Sequence, residues 1–320
     1  MKSAAQAAAG GRLRESCRRI GSLIVKDFKR NKYKYLIVLP VLVYLAIFAY
    51  KPMYGVQIAF KQFKPTKGIT GSAWVGLDHF RRFFGDFYFG RILRNTVLIS
   101  LESILFGFPV PILFALFLNE VRSTRYKKAI QTASYLPHFI STVIICAMIR
   151  EFTYNDGLIN DIIAFFGGQR VTFLQFPRYF RSVYIISDIW QGFGWSSIIY
   201  LAALTSVDQE MYEAARIDGA GRLRQAVSIT IPSILPTIVM LFILRMGSVL
   251  SVGSEKILLL YNERTYETAD VISTYTYRQG LINNDFSYST AIGLFNSVIN
   301  MAFLLTTNAI SKRVADIGLF

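Results

Sequence analysis

The segment from Glu213 to Pro232 reads EAARIDGAGRLRQAVSITIP and lies between two long apolar runs of the chain. Its residues up to Ile217 are mostly good helix formers, and Asp218-Gly219 is typical of a helix end because glycine readily adopts a left-handed backbone. Residues 222–231 can form a second helix. The segment therefore predicts two short helices joined at Gly219. An ordinary polar connector between membrane helices is the simpler alternative.

The remainder of the sequence is too apolar for a soluble domain. Of its 320 residues, 53% are hydrophobic and 26 are phenylalanines, and the mean hydropathy is +0.38. Several apolar runs are long enough to cross a bilayer hydrocarbon core, which is about 30 Å thick. The composition therefore predicts an all-α integral membrane protein.

Basic residues are concentrated at the start of the chain. The formal net charge is +15, and ten of the 35 Lys and Arg residues precede Tyr35. No nucleic-acid-binding motif accompanies them, so membrane topology explains them better than a nucleic acid partner. We predict that residues 1–34 form a cytosolic basic segment that precedes a transmembrane domain at residues 35–320. Apolar side chains recur there at helical spacing, which indicates an amphipathic helix on the lipid surface: Leu13, Cys17, Ile20, Ile24 and Phe28.

The apolar runs predict six transmembrane helices, near residues 35–50, 92–118, 132–152, 181–204, 234–252 and 289–310. Pro52 and Gly55 follow the first run, and we expect them to break regular structure there. The basic tail and Lys312-Arg313 place both termini in the cytosol by the positive-inside rule. The Glu213 segment then belongs to a cytosolic loop at about residues 206–233.

This loop resembles the EAA loop of permease subunits of ATP-binding-cassette importers. The family pattern is Glu-Ala-Ala, three residues, Gly, nine residues, Ile, one residue and Leu-Pro. Ile231 replaces the Leu, a change between similar apolar side chains. Six positions match: Glu213, Ala214, Ala215, Gly219, Ile229 and Pro232. The resemblance implies a type I importer permease fold with six transmembrane helices.

Further segments resemble the branch of this family that transports oligosaccharides and polysaccharides. They include KPMYGVQIAFK at 51–61, EKILLLYN at 255–262 and YETADVISTYTY at 266–277. The resemblance covers most of the chain from Tyr33 onward. It implies an oligosaccharide substrate, an extracellular sugar-binding protein and a location in the bacterial cytoplasmic membrane.

The chain has no phosphate-binding loop, no metal-binding motif and no catalytic constellation. We therefore expect a non-catalytic subunit without its own cofactor, with ATP and Mg bound by a separate ATPase. The resemblance implies two ATPase subunits and a second permease, which we expect to be nonidentical. In this family the first helix of the loop docks in a cleft of the ATPase. Glu213 would pair there with a basic residue, beside Asp218 at the helix end.

Polar residues inside the predicted spans indicate a transport path, because lipid does not tolerate them. Arg245 lies eleven residues beyond Ile234, which places it about 17 Å into the hydrocarbon core. Glu102 reaches a comparable depth of about 15 Å in the second span, and Asp188 is shallower. These residues are candidates for contacting sugar. A structural pair between Arg245 and a carboxylate is the alternative.

The fourth span combines aromatic faces with hydrogen-bonding groups, as sugar sites do. Trp190, Gln191 and Trp195 lie beside Gly192 and Gly194. The glycines permit close approach either of a ligand or of a neighbouring helix, and both interpretations stay open.

Positive charge along this path favours an acidic, uronate-type oligosaccharide. Arg245 is joined on the outer side by Arg170, Arg178 and Arg181. If Glu102 or Asp188 neutralises Arg245, a neutral sugar is the alternative substrate.

The main alternative function is a secondary transporter driven by an ion gradient. Such a protein needs internal repeats with broken helices, and the chain has no two matching halves. A membrane-embedded enzyme is a third alternative, without a catalytic constellation to support it.

Overall fold

The computed structural model describes residues 30–320, so the amphipathic helix predicted at residues 13–28 lies outside the described part. The chain divides into two compact units, Met1–Gln57 and Ile58–Phe320. The described part of the first unit contains α1 (Lys32–Leu45), a π-helical segment (Ala46–Tyr50) and α2 (Lys51–Met53).

The first helical stretch continues further than its sequence predicted. A 3-10 segment (Tyr54–Phe60) follows α2 directly, so Pro52 and Gly55 do not end the helical backbone. Pro52 is the second residue of α2, which follows the π-helical segment without a break in the helical backbone. The predicted break at these two residues is therefore wrong.

The second unit begins with a two-stranded antiparallel sheet and is otherwise helical. Strands β1 (Lys61–Gln62) and β2 (Ala73–Trp74) pair with Lys61 opposite Trp74, and α3 (Gly68–Gly71) connects them. The following helices are α4 (Asp78–Phe84), α5 (Phe89–Glu102), α6 (Pro109–Glu120), α7 (Thr124–Tyr135), α8 (Thr142–Phe152), α9 (Leu158–Phe165) and α10 (Pro177–Leu204). Then come α11 (Gln209–Ile217), α12 (Arg222–Gln225), α13 (Ile231–Met246), α14 (Ser254–Leu260), α15 (Tyr266–Ala269), α16 (Ile272–Tyr277) and α17 (Phe286–Ala315). Three π-helical segments interrupt this series, at Ser103–Gly107, Ala226–Thr230 and Arg278–Ile282, and 3-10 turns lie at Leu136–Phe139, Phe173–Gln175 and Glu263–Thr265.

Within residues 30–320, four helical stretches are long and apolar enough to cross a membrane: Lys32–Phe60, Phe89–Glu120, Arg222–Met246 and Phe286–Ala315. The segments Thr124–Phe139 and Thr142–Phe152, bent by 99° at a short break, form a fifth if they count as one span. Helix α10 coincides with the remaining predicted span and has 28 residues, but it includes polar side chains such as Asp188 and Gln191. The prediction of an all-α membrane protein is confirmed.

The fifth predicted span ends earlier than expected. Helix α13 ends at Met246 and not near residue 252, so Arg245 lies in its last turn. Backbone groups beyond the helix are bonded by side chains: Asn300 Oδ1 accepts from the Leu250 N–H at 2.9 Å, and the Ser100 hydroxyl donates to the Val249 carbonyl. These long-range bonds replace helical ones, which an apolar run alone does not reveal.

A buried carboxylate ties the short helices after α14 to α5. Asp270 is fully buried and accepts hydrogen bonds from both terminal nitrogens of Arg278, at 2.8 and 2.6 Å. Arg91 of α5 lies 3.6 Å from the same carboxylate. Because a buried charge is costly without partners, this bidentate pair is needed to hold Asp270 in the interior.

A second polar cluster surrounds Asp86, between α4 and α5. Its carboxylate accepts hydrogen bonds from the hydroxyls of Tyr275 at 2.5 Å and Tyr288 at 2.9 Å. Burial raises the pKa of Asp86, but the hydrogen bonds from Tyr275, Tyr288 and the Tyr88 backbone N–H lower it below its ordinary value.

Helices α7 and α10 approach each other closely at Gly194. A Cβ atom at Gly194 would lie 2.2 Å from the carbonyl oxygen of Ser134. At Gly192, two residues earlier, a Cβ would meet nothing within 4 Å. Of the two interpretations of these glycines, helix packing therefore applies to Gly194 and not to Gly192.

We predict that Gly194→Ala lowers the free energy of unfolding by about 1–3 kcal/mol, because the helices must separate to admit the methyl group. Gly192→Ala is the matched control and should leave stability unchanged or slightly higher, since alanine favours helix. The measurement is the fraction that stays monodisperse in detergent after heating. Equal losses in the two variants would contradict the packing argument.

Candidate functional site

The segment of residues 206–233 forms two helices at one end of α10. Helix α11 begins where the Asp208 carboxylate accepts a hydrogen bond from the Glu210 N–H at 3.0 Å. It ends at Asp218 and Gly219, whose positive φ of 75° is a conformation that glycine adopts without strain. Helix α12 and the π-helical segment after it then lead directly into α13. We call residues 206–233 the coupling segment.

The coupling segment has an exposed half and a buried half. Ile217 and Leu223 are 88% and 82% exposed, and each lies beside polar residues of the segment. The motif residues divide accordingly: Glu213, Ala214, Asp218, Gly219 and Pro232 are exposed, Ala215 is partly buried, and Ile229 is buried. The exposed half presents a carboxylate and apolar side chains at the surface.

The buried half attaches the coupling segment to three membrane helices. Ile229 packs in a cluster with Ala115 of α6, Tyr200 of α10 and Ile234 of α13. The hydroxyl groups of Tyr212 and Thr230 are hydrogen-bonded at 2.9 Å, which joins α11 to the π-helical segment. Through these contacts α11 is joined to α13.

Two adjoining cavities lie between the helices of the second unit. The larger, of about 490 Å³, is lined by α10, α13, and α6 with the π-helical segment before it. The smaller has a volume of about 200 Å³. Both cavities are lined by Ser103, Asp188 and Arg245.

The structure brings only some of the predicted path residues together. Arg245, Asp188 and Trp195 line the larger cavity, whereas Glu102, Trp190 and Gln191 line neither cavity. The Glu102 carboxylate lies 4.0 Å from the guanidinium of Arg181. Trp190 is 41% exposed outside the cavities.

Arg245 has no carboxylate partner within the described part of the chain. Its guanidinium makes no ion pair within 4.0 Å and donates no hydrogen bond there, while Glu102 pairs with Arg181 and Asp188 pairs with Lys256. The structural Arg245–carboxylate pair considered above is therefore not formed. An exposed cation faces both cavities.

Lys256, the partner of Asp188, was not among the sequence candidates. It is 4% exposed, and its Nζ lies 3.7 Å from the Asp188 carboxylate and donates to Gln191 Oε1 at 3.3 Å. Burial lowers the pKa of Lys256, and the Asp188 carboxylate opposes this by raising it. One feature of the sequence indicated that Lys256 is buried: it directly precedes the apolar run at residues 257–260.

An aromatic cluster stands beside the larger cavity. The ring of His138 stacks on Trp195 with centroids 4.7 Å apart and planes 4° apart, and Phe139 meets Trp195 edge-on at 5.4 Å. All three rings are exposed. Flat aromatic faces of this kind can pack against the apolar face of a sugar ring.

Two solved structures that are similar to this chain come from a bacterial transporter of the acidic polysaccharide alginate. A chain in the crystal structure of a bacterial ABC transporter involved in alginate import is 46% identical, with a TM-score of 0.84 over 91% of this chain and 99% of that one. A chain in the alginate transporter complexed with an alginate pentasaccharide-bound periplasmic protein is 45% identical, with a TM-score of 0.85 over 92% and 99%.

Similar proteins of known sequence include two from Bacillus subtilis (strain 168). The polygalacturonan/rhamnogalacturonan transport system permease protein YteP is 45% identical over 91% of each chain. Protein LplB is 45% identical over 91% of this chain and 92% of its own length. Residues 107–316 match the family described as binding-protein-dependent transport system inner membrane component. This range includes the coupling segment and the two charged residues that line both cavities, Asp188 and Arg245. The chain therefore belongs to this family of membrane-embedded permease subunits.

Proposed function

We propose that this chain is a transmembrane subunit of an ATP-driven importer of oligosaccharides, with acidic, uronate-containing fragments as its substrates. The observation that carries the proposal is Arg245, a cation without a carboxylate partner among residues 30–320, which lines both cavities. An unpaired guanidinium binds a carboxylate well because it offers two parallel N–H donors.

Two similarities support an acidic substrate. One relative is named for the transport of polygalacturonan and rhamnogalacturonan, and the solved transporter imports alginate, an acidic polysaccharide. The His138–Trp195 stack adds aromatic surface beside the larger cavity, and Gly192 leaves open space on its wall. Together these features fit a sugar chain that carries negative charge.

In the proposed assembly, a second, nonidentical permease completes the path, and two ATPase subunits bind ATP and Mg. An extracellular binding protein delivers the oligosaccharide. Both termini and the coupling segment face the cytosol of a bacterial cell, where the exposed Glu213, Ile217 and Leu223 contact an ATPase. A nonidentical partner is expected because a sugar chain lacks the two-fold symmetry of a homodimer.

Transmission follows the helical backbone. The stretch Arg222–Met246 is helical throughout, with the coupling segment at one end and Arg245 in the last turn at the other. Its 25 residues correspond to about 37 Å at the rise of an α-helix. Closure of the ATPase pair displaces α11, the Ile229 cluster passes the displacement to α13, and Arg245 moves relative to α10.

An ion-gradient transporter is not supported by a specific observation. The coupling segment exposes a carboxylate and large apolar side chains, which such a transporter does not need, and the family is binding-protein-dependent.

The assembly is tested by purifying a tagged form of this chain from native membranes in mild detergent. We expect copurification of an ATP-binding subunit and of a second permease with a different sequence, and Mg-dependent ATP hydrolysis stimulated by sugar-loaded binding protein. Recovery of self-pairs alone would contradict the nonidentical partner. A preparation without any ATPase would contradict the importer itself.

Coupling is tested by Glu213→Ala and by Gly219→Val. The first removes an exposed charge and the second blocks the left-handed turn, so both should reduce binding-protein-stimulated ATP hydrolysis by about tenfold or more. Glu210→Ala, on the same helix, is the control and should keep wild-type stimulation. Normal stimulation in both coupling variants would exclude the docking role, provided that all variants reach the membrane in equal amounts.

Substrate charge is tested by Arg245→Gln in proteoliposomes supplied with neutral and uronate oligosaccharides of equal length. We expect uptake of the uronate to fall by about tenfold or more, because a charge-assisted hydrogen bond is lost, while neutral uptake stays near its starting level. Arg125→Gln, an exposed position on α7, is the control. Equal loss of both substrates would show that Arg245 is structural.

A further inference from the structure

Lys256 occupies an unusual position for a lysine. The side chain is almost completely buried against α10, with its ammonium directed at Asp188 and Gln191. Lys256 lies in α14, and Ile257 and Leu260 of the same helix are buried in the hydrophobic core. A buried ammonium is costly, so it persists only where a fixed partner compensates the charge.

Asp188 differs from its partner in exposure. Its side chain is 45% exposed and lines both cavities, whereas the Lys256 side chain is 5% exposed and lines neither. The Lys256 ammonium therefore contacts the Asp188 carboxylate from the side that faces away from the cavities. A substrate in the larger cavity can contact Asp188 and Arg245 but not Lys256.

The distribution of charge around the cavities follows from this arrangement. Among residues 30–320, Lys256 is the basic residue within 4.0 Å of the Asp188 carboxylate, and Arg245 has no acidic residue at that distance. Asp188 is thus neutralised from within the protein. The surplus positive charge remains on Arg245, in the open space.

We infer that Lys256 is a positioning residue that determines the charge preference of the transport path: by holding the Asp188 carboxylate it prevents an Asp188–Arg245 pair and keeps the Arg245 guanidinium available for a substrate carboxylate. This inference rests on the proposed function, since it explains how the cavity stays selective for an acidic sugar. Without Lys256, the carboxylate and the guanidinium lining the same cavities attract each other and become an internal ion pair.

A structural role and a positioning role of Lys256 lead to different transport defects. If Lys256 only stabilises α14 against α10, its removal affects neutral and acidic substrates alike, and no change at Asp188 repairs the defect. If Lys256 acts through Asp188, its removal affects mainly acidic substrates, and removing the Asp188 charge as well restores them.

The experiment compares Lys256→Met, Asp188→Asn and the double variant in the complete transporter, reconstituted in proteoliposomes with its binding protein. We expect Lys256→Met to lower uptake of uronate oligosaccharides by about tenfold while neutral oligosaccharides of equal length are little affected. The double variant should recover most of the acidic uptake, because its Arg245 again has no internal competitor. Lys256→Arg, which keeps the cation, should resemble the wild type.

Equal loss of both substrates in Lys256→Met, with no recovery in the double variant, would overturn the inference. Should Lys256→Met not reach the membrane, Lys256→Gln tests the same expectation with a polar side chain that can still bond Gln191. The outcome is distinct from failure of the proposed function. If Arg245→Gln leaves acidic uptake intact, the proposed recognition of acidic sugars by Arg245 fails, whereas an Arg245-dependent preference that is insensitive to Lys256→Met refutes only the role of Lys256.

Discussion

The packing of Ile229 against Ala115, Tyr200 and Ile234 joins a polar, exposed segment to three membrane helices. This buried contact attaches the coupling segment to α6 and α10, in addition to the helical backbone that joins it to α13. Because Ile229 lies in a helical stretch that continues to Met246, a displacement at one end is carried along the axis to Arg245 in the proposed mechanism. The proposed importer depends on this mechanical connection, since the chain binds no nucleotide of its own in that proposal.

A second constraint is the cost of burying charge, and the fold meets it in three places by pairing. Asp270 is held by Arg278, Asp188 by Lys256, and Glu102 lies near Arg181. The Asp270 carboxylate is the buried member of the first pair and the Lys256 ammonium that of the second, and each would be costly in an apolar environment without its partner, whereas Arg181 and Glu102 are both partly buried. Because these carboxylates are paired with other basic residues, Arg245 remains a cation that faces the two cavities. The charge that the cavities present therefore depends on which residues pair elsewhere.

Close helix contact decides which residues of α10 are free to face the cavities. Gly194 lies against the Ser134 carbonyl and allows α7 to approach, which places His138 over Trp195. Gly192, half a turn away, lies on the wall of the larger cavity. The same helix therefore contributes a packing face and a cavity face, and the aromatic cluster stands between them.

The sequence by itself determined the class of protein and the nature of the coupling segment. Apolar runs of sufficient length predict membrane helices because lipid requires them, and Asp218-Gly219 predicts the helix end because few other residues adopt a positive φ. It also identified Arg245, Asp188 and Trp195, which share a cavity, because polar side chains in apolar runs stand out in the one-dimensional pattern. Only the tertiary structure decided how the charges pair. Lys256 is 68 residues from Asp188, so no local spacing indicates their contact. Beyond Met246 the backbone bonds side chains of other helices: the Ser100 hydroxyl donates to the Val249 carbonyl, and Asn300 accepts from the Leu250 N–H. Hydropathy predicts whether a segment can lie in lipid, whereas the partner of a buried charge depends on which segments pack together in the folded chain.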